Sequence, residues 1–581
     1  MPFRLIAAAL LLCLSGAAAQ AQGFLHTRGT EIVDGDGAPV LLRGMGLGGW
    51  MLQEGYMLGL GDLEKGQQHV VRQHIAELIG PDRTADFYRA WLDHYITKAD
   101  VDAMGRWGFN SIRLPMHYNL LLDEAVPAGV DRWKEDGFAR IDALIDWARA
   151  NRIYVILDLH AAPGGQGADL PIADRDPDTP SLWDSAENQR RTVALWHKLA
   201  TRYADEPWVG GYDILNEPNW DFDGEGGGHG CKEQGNAPLT ALLKRITSAI
   251  RAVDRRHLIV IEGNCWGNNY AGMLPAWDGN MVLSFHKYWN HNTDADLTDI
   301  LGLREKYGMP VWLGESGENS NVWFRDAIRL VERHGIGWSW WPLKKIGFNN
   351  PLEVAPNPGW KKLVDYWIHD GPRPSTAEAD QTLMRLATHD IAFENNIRHP
   401  DVIDAMFRLP HSDRAIPFAP HVLGKAPLTI AAVDYDMGPA GVAYHDRVDA
   451  NYHIATGGDR TEWNDGRTYR NDGVDIAREA DGTPFVDRFE AGEWMQYTIT
   501  AEGGGAARLV LATAAARGAT IGVRINDGPA KAIAVHAANG WTSTAPIDVT
   551  LLPGINRLKI AVHDGEVRLK ALRLALERRR E

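Results

Sequence analysis

The sequence predicts an α/β chain, a (β/α)8 barrel followed by a C-terminal β-sandwich, and three observations carry that prediction. From about residue 38 to 341 one phrase repeats: a short β-rich run, a loop with Gly, Pro or Asn, then an amphipathic helical stretch. The β-rich runs are apolar on both faces, as strands of a parallel sheet covered by helices must be. From about residue 428 the rhythm changes to short strands separated by Gly turns, the pattern of a β-sandwich. A length of 581 residues also exceeds one compact domain.

Taken in order, residues 1–21 read as an export signal. Arg4 precedes an apolar stretch from Leu5 to Leu14, and Ala19-Gln20-Ala21 supplies a cleavage site. The stretch is too short to span a bilayer, and no later segment is long enough. The mature chain is therefore expected to be exported, to the periplasm or beyond, without a membrane span. Cys13 leaves with the signal. Cys231 and Cys265 remain, and in an oxidising compartment they either pair or persist as buried thiols. If they pair, they link the loops after the fourth and fifth strands, neighbours on one rim.

Composition narrows the partners. With 45% hydrophobic and 23% charged residues the chain reads as a globular protein, and its net charge of −16 argues against nucleic acid or an anionic membrane. A monomer is expected. The 22 tryptophans suit both core packing and the apolar faces of sugar rings.

Residues 22–370 form the barrel unit. The strand candidates are VLLRGMGL (40–47), NSIRLP (110–115), IYVILDLH (153–160), GYDILNE (211–217), LIVIEG (258–263), MVLSFHKY (281–288), PVWLGES (310–316) and IGWSWWP (336–342). Helical stretches such as 137–151 and 238–254 lie between them. Eight such units fit a closed (β/α)8, or TIM, barrel. An open doubly wound sheet is the competitor, but the glycines of GMGLGGW (44–50) are not followed by the helix and the acidic residue that the G-x-G-x-x-G turn of such a sheet carries.

Arg113, His160, Glu217, Glu262, His286, Glu315 and Trp341 each fall at or near the C-terminal end of a predicted strand, the rim where barrels build active sites. Glu217 ends an apolar strand that Pro218 forbids to continue, since proline has no N–H for the ladder. Glu217 on the fourth strand and Glu315 on the seventh can face each other across the mouth. Two carboxyls flanking a sugar linkage are the apparatus of glycoside hydrolysis, one protonating the leaving oxygen while the other attacks. Arg113 and His286 are candidates to keep Glu315 charged, and Asn216 can hydrogen-bond a 2-hydroxyl. A metal site from His160, His286 and Glu315 is the chemical rival. It shows no local ligand spacing, and the nearby Arg113 opposes a cation, so neither metal nor cofactor is expected.

In this order, the strand-end NEP with Glu217, the GES with Glu315, the IRLP Arg113, the DLH His160, the FHKY pair and Trp341 resemble glycoside hydrolase family 5, the cellulase-type barrels, over about residues 25–370. The resemblance implies a retaining mechanism with Glu217 as acid/base and Glu315 as nucleophile. It also implies that Arg113, His286 and Tyr288 surround the nucleophile and that Trp341 floors the sugar site. RGMGLGGWMLQE (43–54) and LHAAPGGQG (159–167) resemble the exo-β-1,3-glucanase branch, in which the residue matching Glu54 binds the terminal glucose. Met45-Gly46 stands where that branch has Val-Asn, and Gly55 where it has Pro. The implied substrate is a β-glucan, of cellulose type or β-1,3-linked. Another β-linked polymer such as mannan or xylan is the alternative within the class, and a non-catalytic sugar-binding protein the alternative outside it.

Residues 371–427 break the barrel rhythm. A linker-like GPRPSTAEAD (371–380) leads into 381–409, one or two helices with Leu383, Leu386 and Ile391 on one face, expected to brace the barrel. From 428 to 581, GVAYHD (441–446), TYRNDGVDI (468–476), GEWMQYTI (492–499) and LLPGINRLKIAV (551–562) resemble family 6 carbohydrate-binding modules. That resemblance implies a sugar held between Tyr469 and Trp541. Ala431 and Val433 stand where an acidic pair linked with calcium is usual, and Lys570 where a cleft Asn is. With both carboxyls before residue 342, the tail is expected to act as a tether on polymer.

Overall fold

The computed structural model describes residues 23–224, 228–448, 450 and 466–577. The expected export signal lies outside them. Among the described residues no helix is long and apolar enough to cross a membrane.

Eight parallel strands close into a barrel: β1 (Arg43–Gly46), β2 (Ser111–His117), β3 (Tyr154–Ala161), β4 (Val209–Asp213), β5 (Leu258–Glu262), β6 (Met281–Lys287), β7 (Val311–Gly317) and β8 (Trp338–Trp341). Each pairs with its chain neighbour, and β8 closes on β1 through Trp338 opposite Arg43. Their residues are buried on both faces, which is why the runs read as continuously apolar. Helices including α1 (Glu135–Ala150), α2 (Ala186–Tyr203) and α3 (Ala237–Arg251) cover the barrel, as the sequence predicts for 137–151 and 238–254.

Helix α4 (Asn321–Arg333) follows the seventh strand. It buries Trp323, Phe324, Ile328 and Val331, each worth about 1.5–3 kcal/mol on removal from water. Ser320 caps it by accepting a hydrogen bond from the Trp323 backbone N–H.

The stretch 381–409 is not one continuous helix. Helix α5 (Thr376–Arg385) runs into a single π-helical turn over 386–390, and α6 (Pro400–Phe407) begins only after an irregular segment. Leu383, Leu386 and Ile391 are fully buried in the same core as the barrel. Phe407 at the end of α6 packs edge-on against Phe109, 4.8 Å between ring centres.

The C-terminal region is two packed sheets around a separate core that includes Leu511, Ile560 and Leu572. Strand 422–423 already pairs with 494–501, so sandwich pairing starts ahead of residue 428. Of 468–476, only Ile476 lies in a strand. The rest is a loop: Tyr469 sits at φ 67°, a left-handed backbone that no extended run accommodates. That loop meets the barrel.

Candidate active site

Arg113 leaves the middle of β2 with its guanidinium fully buried beneath the mouth. It reaches Asp213 at 2.9 Å, Glu262 at 2.9 Å, Glu315 at 2.6 Å and Asp158 at 3.3 Å. It also donates to Asn216 Oδ1 at 2.7 Å. One cation among four carboxyls cannot neutralise all of them, and Asp213 and Glu262 go opposite ways. Burial and the Glu262 charge push the Asp213 carboxyl well above the usual range. Glu262 goes the other way: burial opposes its ionisation, but His286 and then Arg113 outweigh that and hold it at about 2.

Glu217 owes its position to a turn as much as to Pro218. β4 ends at Asp213, and Glu217 takes a left-handed φ of 39° just before the proline. Its backbone N–H donates to Glu262 Oε2 at 2.7 Å, fixing the turn to the neighbouring strand. Burial raises the Glu217 pKa; His286 pulls it back only in part, and the charges of Glu315 and Glu262 add to the rise. His286 Nδ1 lies 2.6 Å from Glu217 Oε1, and Nε2 lies 3.3 Å from Glu262. Burial opposes protonation of His286, and Glu262, Glu315 and Glu217 overcome it, raising its pKa well above the ordinary value. An imidazolium on Glu217 Oε1 leaves the other oxygen to carry a proton.

Glu315 is placed differently. It accepts hydrogen bonds from Arg113 Nη1 at 2.6 Å and from the Tyr288 hydroxyl at 2.9 Å, partners that suit a carboxylate anion. Glu217, His286 and Glu315 each place a polar atom within 4.8 Å of the others. Arg113 on Glu315 disfavours a cation among them.

The remaining expected residues gather around this pair. His160 bonds Asp158 at 2.7 Å through Nδ1 and stacks on Trp341, with centres 5.2 Å apart and planes 2° apart. Asn216 Nδ2 faces His160 Nε2 at 3.2 Å, which leaves one amide hydrogen free. Trp341 lies close against the first strand: a Cβ on Gly46 or Gly48 would fall 2.5 or 2.6 Å from its ring. Glycine at 46 is therefore a steric requirement. Glu54 is buried at the cavity wall. Burial, then the charges of Glu315 and Glu318, push its carboxyl well above the usual range.

These groups line a cavity of about 470 Å3 that also includes Tyr56, Asp169, Trp266, Trp289 and Glu318. Sequence reasoning missed those five, and Asp213. Asp213, the last residue of β4, was the one with a signal. The others sit on loops with no periodicity to mark them. Trp266 is aimed by strain, because it and Cys265 both take left-handed backbone, φ 52° and 57°. Cys265 is disulfide-bonded to Cys231, and the Trp266 indole N–H reaches Asp169 at 3.3 Å across the mouth. Glu318 pairs with Lys345 at 2.6 Å.

Comparison with known proteins bears on the chemistry. Residues 72–346 match the family model described as cellulase, glycosyl hydrolase family 5. Over those residues the barrel is similar to glycosyl hydrolase family 5. Similar curated proteins include a β-xylosidase of Phanerodontia chrysosporium, 29% identical over 57% of this chain and 73% of that one. Another is endoglucanase C of Acetivibrio thermocellus, 24% identical over 45% of this chain and 88% of that one. A third is a probable glucan 1,3-β-glucosidase A of Aspergillus niger, 28% identical over 36% and 49%. The protein is an O-glycosyl hydrolase acting on β-glycans.

The two aromatics expected to hold sugar in the tail are not among the residues that line this cavity. Tyr469 donates its hydroxyl to Asp434 at 2.5 Å and packs 5.8 Å from Phe418. Trp541 packs 5.2 Å from Phe485 with its indole N–H on Glu479. Among the described residues no ring contact links the two.

Proposed function

We propose that this barrel cleaves β-glucosidic linkages in a β-glucan with retention of configuration, by double displacement. The observation that carries the proposal is the spacing of Glu217 and Glu315, with an oxygen of each within 4.8 Å. That is near the roughly 5–5.5 Å of retaining pairs and short of the ~6.5–9.5 Å needed to seat an inverting water.

The roles follow from the environments. Glu315, with Arg113 and Tyr288 donating to it, attacks the anomeric carbon from below. Glu217 gives its proton to the departing glycosidic oxygen, so the aglycone leaves neutral and a glycosyl ester on Glu315 remains. Glu217, now a carboxylate, takes a proton from water as that water attacks the same carbon and Glu315 leaves. The free hydrogen of Asn216 meets the 2-hydroxyl, a bond that strengthens as positive charge builds at the anomeric centre. Trp341 floors the ring and Glu54, its carboxyl pushed well above the usual range, hydrogen-bonds hydroxyls of a terminal glucosyl unit.

Several points support the finer reading. The similar proteins include named glucanases, while the named β-xylosidase keeps xylan as the second reading. The Cys231–Cys265 disulfide fits export of the chain. The tail module is read as sugar-binding, through Tyr469 and Trp541.

The test is Glu315→Ala on an aryl β-glucoside. Azide should restore turnover and yield a glycosyl azide of inverted configuration. Rescue at Glu217→Ala instead, with inverted product, would reverse the roles. Product profiles on laminarin, cellulose, mannan and xylan oligosaccharides decide the polymer.

A further inference from the structure

The loop that follows the nucleophile strand is closed from outside the barrel. β7 ends at Gly317, where a Cβ would fall 2.2 Å from the Trp341 carbonyl oxygen, so this backbone lies tight against the strand that carries the sugar platform. Glu318 follows in left-handed backbone, φ 51°, and lines the cavity. A glutamate holds that conformation only when its surroundings over-determine it. On the cavity side Lys345 supplies a 2.6 Å ion pair, and Lys345 in turn lies over the Tyr56 ring, whose hydroxyl accepts the Trp341 indole N–H.

On the other side the holding groups belong to the sandwich. Asn471, fully buried, donates through Nδ2 to the Asn319 carbonyl at 2.9 Å and to Asn321 Oδ1 at 3.0 Å. Its carbonyl accepts from the Asn321 backbone N–H at 2.8 Å. Ser320 donates to the Ala450 carbonyl at 2.8 Å. Asp401 of α6 locks the two together, accepting from the Asn471 backbone N–H at 2.9 Å and from Asn321 Nδ2 at 2.7 Å. Three consecutive residues after Glu318 thus bond to the sandwich. The restraint extends further through α4. The Trp323 indole N–H donates to the Asn290 carbonyl at 3.0 Å, and Asn290 lines the cavity beside Trp289.

We propose that the β-sandwich is a positioning element of the catalytic site, with Asn471 fixing the Glu318 wall, and is not a tether alone. The inference rests on reading the cavity as the active site. Buried side-chain bonds of this kind hold a geometry only while every partner is present, because each orphaned group is left dry. Removing the Asn471 amide frees the Asn319 carbonyl and Asn321 together, and Glu318 loses its downstream anchor.

The experiment uses the full chain and whichever aryl β-glycoside the wild type cleaves best. A wrong sugar assignment then appears with the wild type, and a wrong role for the sandwich appears only with the variants. Asn471→Ala should lower kcat/KM by roughly tenfold or more, as small misplacements of a positioning wall do. Leu511→Ala, which hollows the sandwich core beside Leu572 without touching the bonds of Asn471, should lower Tm at least as much and leave kcat/KM within about twofold. Ser320→Ala reads the same loop through its other bond, should Asn471→Ala fold poorly. Glu318→Gln should also lower kcat/KM, and combined with Asn471→Ala should cost less than the product of the two effects. Wild-type kcat/KM in both interface variants would overturn the proposal, as would an equal loss in Leu511→Ala. Strictly multiplicative effects of Glu318→Gln and Asn471→Ala would overturn the route through Glu318.

Discussion

In the barrel, four carboxyls converge on Arg113 at the C-terminal ends of parallel strands, and every member of that set comes from the barrel itself. In the sandwich, Arg470, Asn471 and Asp472 also lie buried, but on a loop at the edge that faces the barrel, and Asn471 finds its partners across the interface. One cluster is closed within a domain and the other is completed by a second domain. The difference teaches where each can be disturbed. The barrel cluster responds to chemistry at the site, whereas the sandwich loop responds to anything that separates the modules.

The sharpest way to break the comparison is to remove a carboxyl from the closed cluster. Glu315→Ala should lower kcat on an aryl β-glucoside on the order of 10⁴-fold or more, because it removes the carboxylate that attacks the anomeric carbon. Glu217→Ala should cost less, roughly 10²–10⁴-fold, and the loss should shrink as the leaving group becomes more acidic. Equal losses across leaving groups would remove the proton-donor role from Glu217.

A smaller effect tests whether the cluster sets its own protonation. Glu217 must hold a proton for the first step, so kcat/KM should fall as pH rises through its raised pKa. His286 favours the Glu217 anion. Its removal in His286→Gln should therefore raise that pKa further and move the alkaline limb to higher pH, alongside a loss of rate. A limb that moves to lower pH would mean that another group, such as His286 itself, is the one titrating.

The same contrast explains what could be read from the sequence. Arg113, His160, Glu217, His286 and Glu315 were legible because strand ends recur with a period, and a polar residue at the end of an apolar run stands out. Asp213 was harder, since its burial depends on Arg113, about 100 residues away. Glu318 and Trp266 carry no signal at all: their places depend on left-handed backbone set by a disulfide and by an interface. Within 468–476 the place of Asn471 was not legible, because it depends on the left-handed turn at Tyr469 and on bonds to Asn319 and Asn321 about 150 residues away. Loop residues whose partners belong to another domain leave no local pattern.

A smaller effect again comes from Cys231→Ser with Cys265→Ser. Closing the intervening loop is worth about 3–4 kcal/mol in the chain-entropy model, so Tm should fall by several degrees. Trp266 would also lose the anchor of its strained turn, and KM should rise more than kcat falls. A fall in Tm with KM unchanged would show that the turn holds without the disulfide and that only the fold depends on it.

The smallest effect is expected at Trp541, the sandwich residue farthest in role from the interface. Its ring packs on Phe485, and the Lys570 ammonium lies 5.3 Å from its centre, with Arg568 at 5.5 Å. A sugar stacking there must share the ring with those cations. Each aromatic face is worth on the order of 1 kcal/mol, so Trp541→Ala should weaken retention on insoluble β-glucan by about fivefold. On a short aryl glycoside kcat/KM should stay within about twofold, because among the described residues Trp541 contacts Glu479, Phe485, Arg568 and Lys570, none of them on the Glu318 loop. Lys570→Ala should act in the opposite sense, freeing a face of the ring and tightening retention on polymer. The pair of variants therefore separates tethering from positioning inside one module. If Trp541→Ala lowered turnover of the short substrate as far as Asn471→Ala does, the sandwich would act on the site as a whole body, and the division between its interface loop and its outer face would fail.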